Sequence, residues 1–277
     1  MTAFTIAKLT VREAARRKIL IAAFLLGLAF LIVYGTGFHY VNQELGHTVG
    51  RNPLEQNEVR NFLFMAGMYA VNFLVVIMAV LISVVTISGE ISSGTIQTLV
   101  AKPVQRWEIV LGKWIGFAVM LTLYLLLMAG GTVALVFLIS GYTAPNTGRS
   151  ILFLWLNALL LLSVSLMGGS VLSTLANGVL VFGLYGLAFI GGWMEHIGSY
   201  INNQTAINIG IISSLIIPSE ALWKRASYEM SSPLARTIGF SPFSSPSVPS
   251  TIMVWYAILY TLVTLLLAIR FFSKRDL

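Results

Sequence analysis

Six long apolar runs constrain this chain more than any other feature of its sequence. Each run approaches or exceeds about 20 residues, the length of helix that crosses a hydrocarbon core of about 30 Å. Of the 277 residues, 57% are apolar and only 10% are charged, against roughly 25% charged residues in soluble domains. The sequence therefore predicts an all-α polytopic membrane protein with six spans.

A single transmembrane domain is expected over residues 1–277. Residues 1–18 precede the first span, with Phe4, Ala7 and Val11 at helical spacing on one face and Lys8 and Arg12 on another. This pattern predicts an amphipathic helix at the inner membrane surface. The predicted spans occupy about residues 19–38, 62–87, 109–140, 151–172, 176–194 and 251–271. The first run is too long for a signal peptide and lacks a cleavage site, so we expect an uncleaved span.

Two segments outside the spans are predicted to lie on the outer side. Residues 39–61 are polar and are interpreted as a solvated loop; their histidines and acids match no metal-ligand spacing. Residues 195–250 are interpreted as an extracytoplasmic loop with a re-entrant segment at 206–218. That segment would form only about 18 Å of helix, too short to cross. We expect the loop to cap the bundle as a lid or exit gate, with Lys224 or Arg225 accessible from outside.

The distribution of Lys and Arg predicts the topology. With six spans and the N-terminus inside, 11 of these residues lie inside and 6 outside, so both termini should be cytoplasmic. A seventh crossing at residues 206–218 would give the same ratio. Six spans are favoured because the charges of the C-terminal tail directly flank the last span.

A compact segment at residues 88–108 joins the second and third spans. Glu90 and Gly94 fall on the polar half of a short amphipathic helix, and Ile91, Ile96 and Leu99 lie on its apolar half. A proline disfavours helix at the residue before it and can itself open the next helix. The sequence thus predicts a short cytoplasmic helix, a break, and the start of the third span.

The same segment resembles the signature of type-2 ATP-binding cassette (ABC) transporter permeases. In that family an acidic residue, a Gly-Thr pair, a Pro-Val-x-Arg turn and a Gly-Lys pair follow one another between the second and third spans. The positions that match a coupling role are Glu90, Gly94, Thr95, Leu99, Pro103 and Arg106, followed by Gly112-Lys113. The sequence departs from the family at residues 99–102, where a Leu-Leu pair and a serine usually precede the proline.

The resemblance implies a membrane-spanning permease subunit of an ABC transporter, working in export. Two such subunits, as a homodimer or heterodimer, would pair with two cytoplasmic ATPase subunits that bind ATP and Mg²⁺. The expected location is the cell (plasma or inner) membrane.

Several chemistries are not expected of this chain. It has no cysteine, its Gly112-Lys113 lacks the rest of a phosphate-binding loop, and no nucleophile–base set can be placed together. We therefore expect no enzyme activity, no cofactor, no metal and, because the net charge of +7 forms no continuous basic face, no nucleic acid. Glu90, Glu108, Lys113 and Glu195 lie near span boundaries, and Glu195 is interpreted as an interfacial anchor.

Two other functions remain open from the sequence. A small secondary carrier or channel would need ionisable residues buried in the membrane. A membrane-embedded assembly or anchoring protein would have no ATPase partner and no continuous cavity.

Small and amide residues within the spans predict helix packing. We expect close helix approach at Gly112 and Gly116 of the third span and along Ser165, Gly169 and Ser173 of the fourth. Asn72, an isolated amide in the second span, is expected to bond a neighbouring helix.

Overall fold

A computed structural model describes residues 2–15, 18–48, 52–92, 105–238, 243 and 247–275. Within these residues every regular element is an α-helix. The helices are α1 (Thr2–Ala15), α2 (Lys18–Thr48), α3 (Pro53–Ser92), α4 (Arg106–Ser140), α5 (Thr147–Val171), α6 (Thr174–Tyr200), α7 (Gln204–Ile216), α8 (Ser219–Met230), α9 (Pro233–Ile238) and α10 (Thr251–Lys274).

Six of the described helices are long and apolar enough to cross a membrane, which confirms the predicted number of spans. They are α2, α3, α4, α5, α6 and α10. α1 is a separate helix before the first span.

The predicted polar loop at residues 39–61 is wrong. α2 continues to Thr48 and α3 begins at Pro53, because the polar residues of this segment extend the two helices beyond their apolar parts. Pro53 occupies the first helical position, where its missing N–H costs nothing. The Asn52 side chain accepts a hydrogen bond of 3.2 Å from the Leu54 amide, as an N-terminal cap does. Arg60 donates to Asn42 at 2.9 Å and ties the two helices together.

α5 is the central helix of the bundle. It packs against α3, α4, α6, α8 and α10, and 67% of its most apolar 18-residue window is buried, against 17% for α2. α2 is therefore peripheral and presents most of its apolar side chains outward.

Both terminal helices meet at one end of the bundle, here named the terminal end. α1 packs on the first turns of α4, and the last residues of α10 contact Arg106. The opposite end, named the far end, contains the α2–α3 and α4–α5 junctions and the C-terminal end of α6.

α7 and α8 form a bent pair that enters and leaves the bundle at the far end. Their axes differ by 107°. α7 begins directly after α6, where the Asn203 amide donates to the Gly198 carbonyl at 2.8 Å. After α8, the Ser232 hydroxyl donates to Glu58 of α3 at 2.6 Å. Both contacts place the ends of the pair toward the far end.

Candidate functional site

Most of the coupling residues predicted from the sequence lie outside the described part of the chain. Gly94, Thr95, Leu99 and Pro103 belong to residues 93–104. Glu90 lies in the last turn of α3, but its side chain is likewise outside the described residues. The cytoplasmic helix predicted between the second and third spans therefore stays a prediction. Arg106, the first residue of α4, is described in full.

Arg106 joins the start of α4 to the C-terminal end of α10. Its guanidinium donates hydrogen bonds to the backbone carbonyls of Ser273 at 3.1 Å and Arg275 at 2.6 Å. The last carbonyls of a helix have no partner within the helix and carry partial negative charge. A guanidinium beside them is therefore a favourable cap.

Arg275 makes the same kind of contact with the C-terminal end of α5. Its guanidinium donates to the Ser170 carbonyl at 2.8 Å, one residue before α5 ends. The Ser170 hydroxyl lies 3.3 Å from the Ala268 carbonyl of α10. Two arginines thus link the start of α4 and the ends of α5 and α10 at the terminal end.

Gly112 and Gly116 bring α1 against α4. A Cβ atom at Gly112 would lie 2.7 Å from the Ala3 carbonyl oxygen, and one at Gly116 would lie 2.9 Å from the Ala7 carbonyl oxygen. Both distances are below van der Waals contact, so only glycine admits α1 at this spacing. The two glycines face the amphipathic N-terminal helix.

The small residues of α5 pack differently from the predicted stripe. Ser165 and Gly169 are buried, but Ser173 is exposed and lies in the turn between α5 and α6, so it does not continue the stripe. The closest approach occurs at Gly168, where an added Cβ would lie 2.2 Å from Asn177 Oδ1 of α6. Asn177 also donates to the Ser165 carbonyl at 2.9 Å.

Asn72 of α3 accepts a hydrogen bond from Asn157 of α5 at 3.1 Å. Both side chains are almost completely buried. The structure thereby confirms that Asn72 bonds a neighbouring helix.

A buried ion pair lies toward the far end, between α6 and α8. Lys224 donates to Glu195 Oε2 at 2.6 Å, and the two side chains are 6% and 8% exposed. The Ser247 hydroxyl donates to the other oxygen of the Glu195 carboxylate. Glu195 is therefore no interfacial anchor. Of the two residues expected to be accessible from outside, Lys224 is buried, whereas 24% of the Arg225 side chain is exposed. Lys113 of α4 is also buried.

Glycines on α6 and α7 create the space that this polar cluster occupies. A Cβ at Gly191 would lie 1.8 Å from Ser213 Oγ, one at Gly192 would lie 2.3 Å from Glu220 Cγ, and one at Gly210 would lie 2.4 Å from Glu195 Cβ. Glu220 is buried and lies close enough to Lys224 and Glu195 to interact with both charges. One sequence feature could have indicated this cluster. The Gly191-Gly192 pair stands three residues before Glu195 in an otherwise apolar run.

No group of three or more metal-ligating side chains occurs among the described residues. At the terminal end, Arg106 and Arg275 connect helices through hydrogen bonds. Toward the far end, Glu195 and Lys224 form a buried ion pair.

Six long apolar helices, of which α5 is the most central, with a short helix packed on α4, define a multi-pass membrane protein. The chain belongs to the ABC-2 family of transporter proteins, whose family model matches residues 4–277. This match confirms the resemblance found in the sequence. Membership of the family implies an ABC permease subunit that associates with an ATP-binding cassette subunit. No curated protein matches the chain.

Proposed function

We propose that this chain forms the translocation path of an ABC exporter in the cell (plasma or inner) membrane. Residues 88–108 dock on a separate cytoplasmic ATPase subunit, a second permease subunit completes the path, and both termini are cytoplasmic. ATP and Mg²⁺ are bound by the partner. The direction of transport follows from the family resemblance, and the orientation follows from the excess of Lys and Arg at the terminal end.

The observation that carries this proposal is the joint at the start of α4. A coupling segment must pass a small movement of its partner to several spans instead of absorbing it. α4 begins within residues 88–108, at Arg106, and is held to α10 through Arg106 and to α1 through Gly112 and Gly116. α10 is in turn held to α5 through Arg275. A displacement of the coupling segment would therefore move four helices together.

A secondary carrier is the second candidate, because Glu195, Lys224 and Glu220 are buried. Buried ionisable residues are typical of ion-coupled transport. Glu195 and Lys224, however, form a closed pair, and Glu195 lies only five residues before the end of α6. A carrier would move its substrate in membranes that lack the ATPase partner.

The test uses Glu90→Ala and Gly94→Pro in the complex of both subunits. We expect both variants to insert normally but to lose co-purification of the ATPase or substrate-stimulated ATP hydrolysis. Glu55→Ala, an exposed acid at the start of α3, is the matched control and should behave as wild type. Normal docking and stimulated hydrolysis in both variants would refute the coupling role of this segment. Reporters fused to either terminus should read cytoplasm.

A further inference from the structure

A cavity of about 240 Å³ opens beside the buried ion pair toward the far end. Within the described chain it lies between α6, α7 and α8 and the segment 247–250 that leads into α10. The polar part of its lining consists of Glu195, Lys224, Ser214, Ser247 and Ser250. The apolar part includes Ile211, Leu215, Val248 and Met253.

The polar wall has hydrogen-bonding capacity that the described residues do not use. An ammonium group has three donors, and Lys224 makes one hydrogen bond to a described residue, to Glu195. The hydroxyls of Ser214 and Ser250 make none to the part of the chain that the structure describes. These donors could bind the oxygens of a ligand, while the Glu195 carboxylate could accept from a ligand cation.

The apolar wall opens toward the outer surface of the bundle. Ile211 and Leu215 are 46% and 51% exposed, and Trp255 in the second turn of α10 is 66% exposed. The Tyr256 hydroxyl donates to the Leu215 carbonyl at 2.6 Å. Exposed Trp and Tyr at the end of a span are typical of the depth of lipid headgroups. The mouth of the cavity therefore lies where a bilayer lipid places its polar group.

The charge of the wall selects the kind of headgroup. Among the described lining residues, Glu195 and Lys224 are the ionisable ones and their charges cancel. A wall without net charge in a low-dielectric region disfavours a ligand that carries net charge. A zwitterion meets no such penalty, because its phosphate can face Lys224 and its ammonium can face Glu195. The cavity has room for about eight water-sized groups at ~30 Å³ each, which accommodates a phosphate with an aminoethyl group.

We propose that the cavity beside the Glu195–Lys224 pair binds the phosphoethanolamine headgroup of a bilayer phospholipid. The ammonium of ethanolamine donates hydrogen bonds to Glu195, whereas the trimethylated ammonium of choline has none to donate and is bulkier. The lipid would join α6, α7 and α10 at the far end. This inference does not depend on the proposed transport function.

Native mass spectrometry of the delipidated full chain tests the proposal. The chain is titrated with phosphatidylethanolamine, phosphatidylcholine and phosphatidylglycerol of identical acyl chains. We expect the ethanolamine lipid to bind at least about tenfold more tightly than the other two, the factor that the loss of one hydrogen bond to a charged group gives. Equal affinity for the three lipids would overturn the proposal.

Two substitutions on α7 test whether the lipid binds in the cavity. Leu215→Trp fills the mouth and should reduce binding of the ethanolamine lipid about tenfold. Ile212→Trp, on the same helix, 57% exposed and outside the cavity lining, should leave binding unchanged. Ser250→Ala removes one donor without adding bulk and should weaken binding several-fold. Gel filtration verifies that each variant folds. Equal effects of the two tryptophans would overturn the assignment.

Free phosphoethanolamine separates the lipid from a soluble zwitterion. Displacement of the bound lipid by millimolar phosphoethanolamine would support headgroup recognition. If the chain bound free phosphoethanolamine but not the lipid, the natural ligand would be a soluble compound and the lipid proposal would be wrong.

Discussion

Arg106, at the first residue of α4, donates a 2.6 Å hydrogen bond to the backbone carbonyl of Arg275, which directly follows α10. The two residues are 169 positions apart in the chain. This bond connects the C-terminal segment to the start of α4. The strength of that joint can be measured apart from transport.

Arg106→Ala should lower the stability of the purified chain by about 1 kcal/mol, because two hydrogen bonds from a half-exposed cation to helix-terminal carbonyls are lost. Thermal unfolding in detergent measures the change as a shift of a few degrees. Arg149→Ala, an exposed arginine at the far end, should leave the melting temperature unchanged. Equal shifts in both variants would mean that the joint contributes nothing.

Gly112→Val should displace α1 from α4, since even a Cβ at this position would lie 2.7 Å from the Ala3 carbonyl oxygen. The chain has no natural cysteine, so a cysteine introduced as Ala7→Cys, a position only 5% exposed, reports the displacement by maleimide labelling. We expect slow labelling in the parent and fast labelling in the Gly112→Val variant. Gly130→Val on the same helix is the control, because nothing lies within 4 Å of its Cβ position. Unchanged protection in Gly112→Val would refute the close contact.

Asn72 and Asn157 should be energetically coupled. Hydrogen bonds between membrane-spanning helices contribute about 0.6 kcal/mol on average and up to ~1.7 kcal/mol. A double-mutant cycle with Asn72→Leu, Asn157→Leu and the double variant, followed by unfolding in SDS, should give a coupling energy in this range. Additive single effects would show that the 3.1 Å bond does not contribute to stability.

Lys224→Met should be among the most destabilising single substitutions outside the spans, by about 3–5 kcal/mol, because it leaves the Glu195 carboxylate buried and unpaired. Glu195→Gln combined with Lys224→Met should recover most of that loss. The neighbouring Arg225 pairs with Glu229 at 3.3 Å with 24% of its side chain exposed, so Arg225→Met should cost about 1 kcal/mol or less. Equal unfolding free energies for the two single variants would argue against the buried pair.

The spans were predictable from the sequence because length and apolarity alone decide whether a helix crosses a bilayer. The family signature was also readable, since its residues are local in the chain. The helical ends around Thr48 and Pro53 were not predicted, because polar residues suit both a loop and an exposed helix. What decides between them here is the capping by Asn52 and the contact between Arg60 and Asn42.

The ion pair was hidden for a different reason. Glu195 and Lys224 are 29 residues apart on helices that the sequence does not place against each other. Lys224 lies in a charged segment that is typical of a surface. Close packing at Gly192, where an added Cβ would lie 2.3 Å from Glu220 Cγ, brings α8 against α6. The sequence shows two small residues beside an acid, but the cation that they accommodate follows only from the tertiary structure.

The contacts of Arg106 also set an order of events during synthesis. A ribosome adds about 5–20 residues per second, so the 167 residues between Arg106 and Ser273 take about 10 to 30 seconds to make. Throughout that time the Arg106 guanidinium in the first turn of α4 lacks the carbonyl acceptors of residues 273 and 275. The contacts at the terminal end can form only after residues 273–275 have been made, and a chain that stops before them leaves the Arg106 guanidinium without these two acceptors. A truncated chain is thus chemically distinguishable from a finished one at the surface where the partner subunit is proposed to dock.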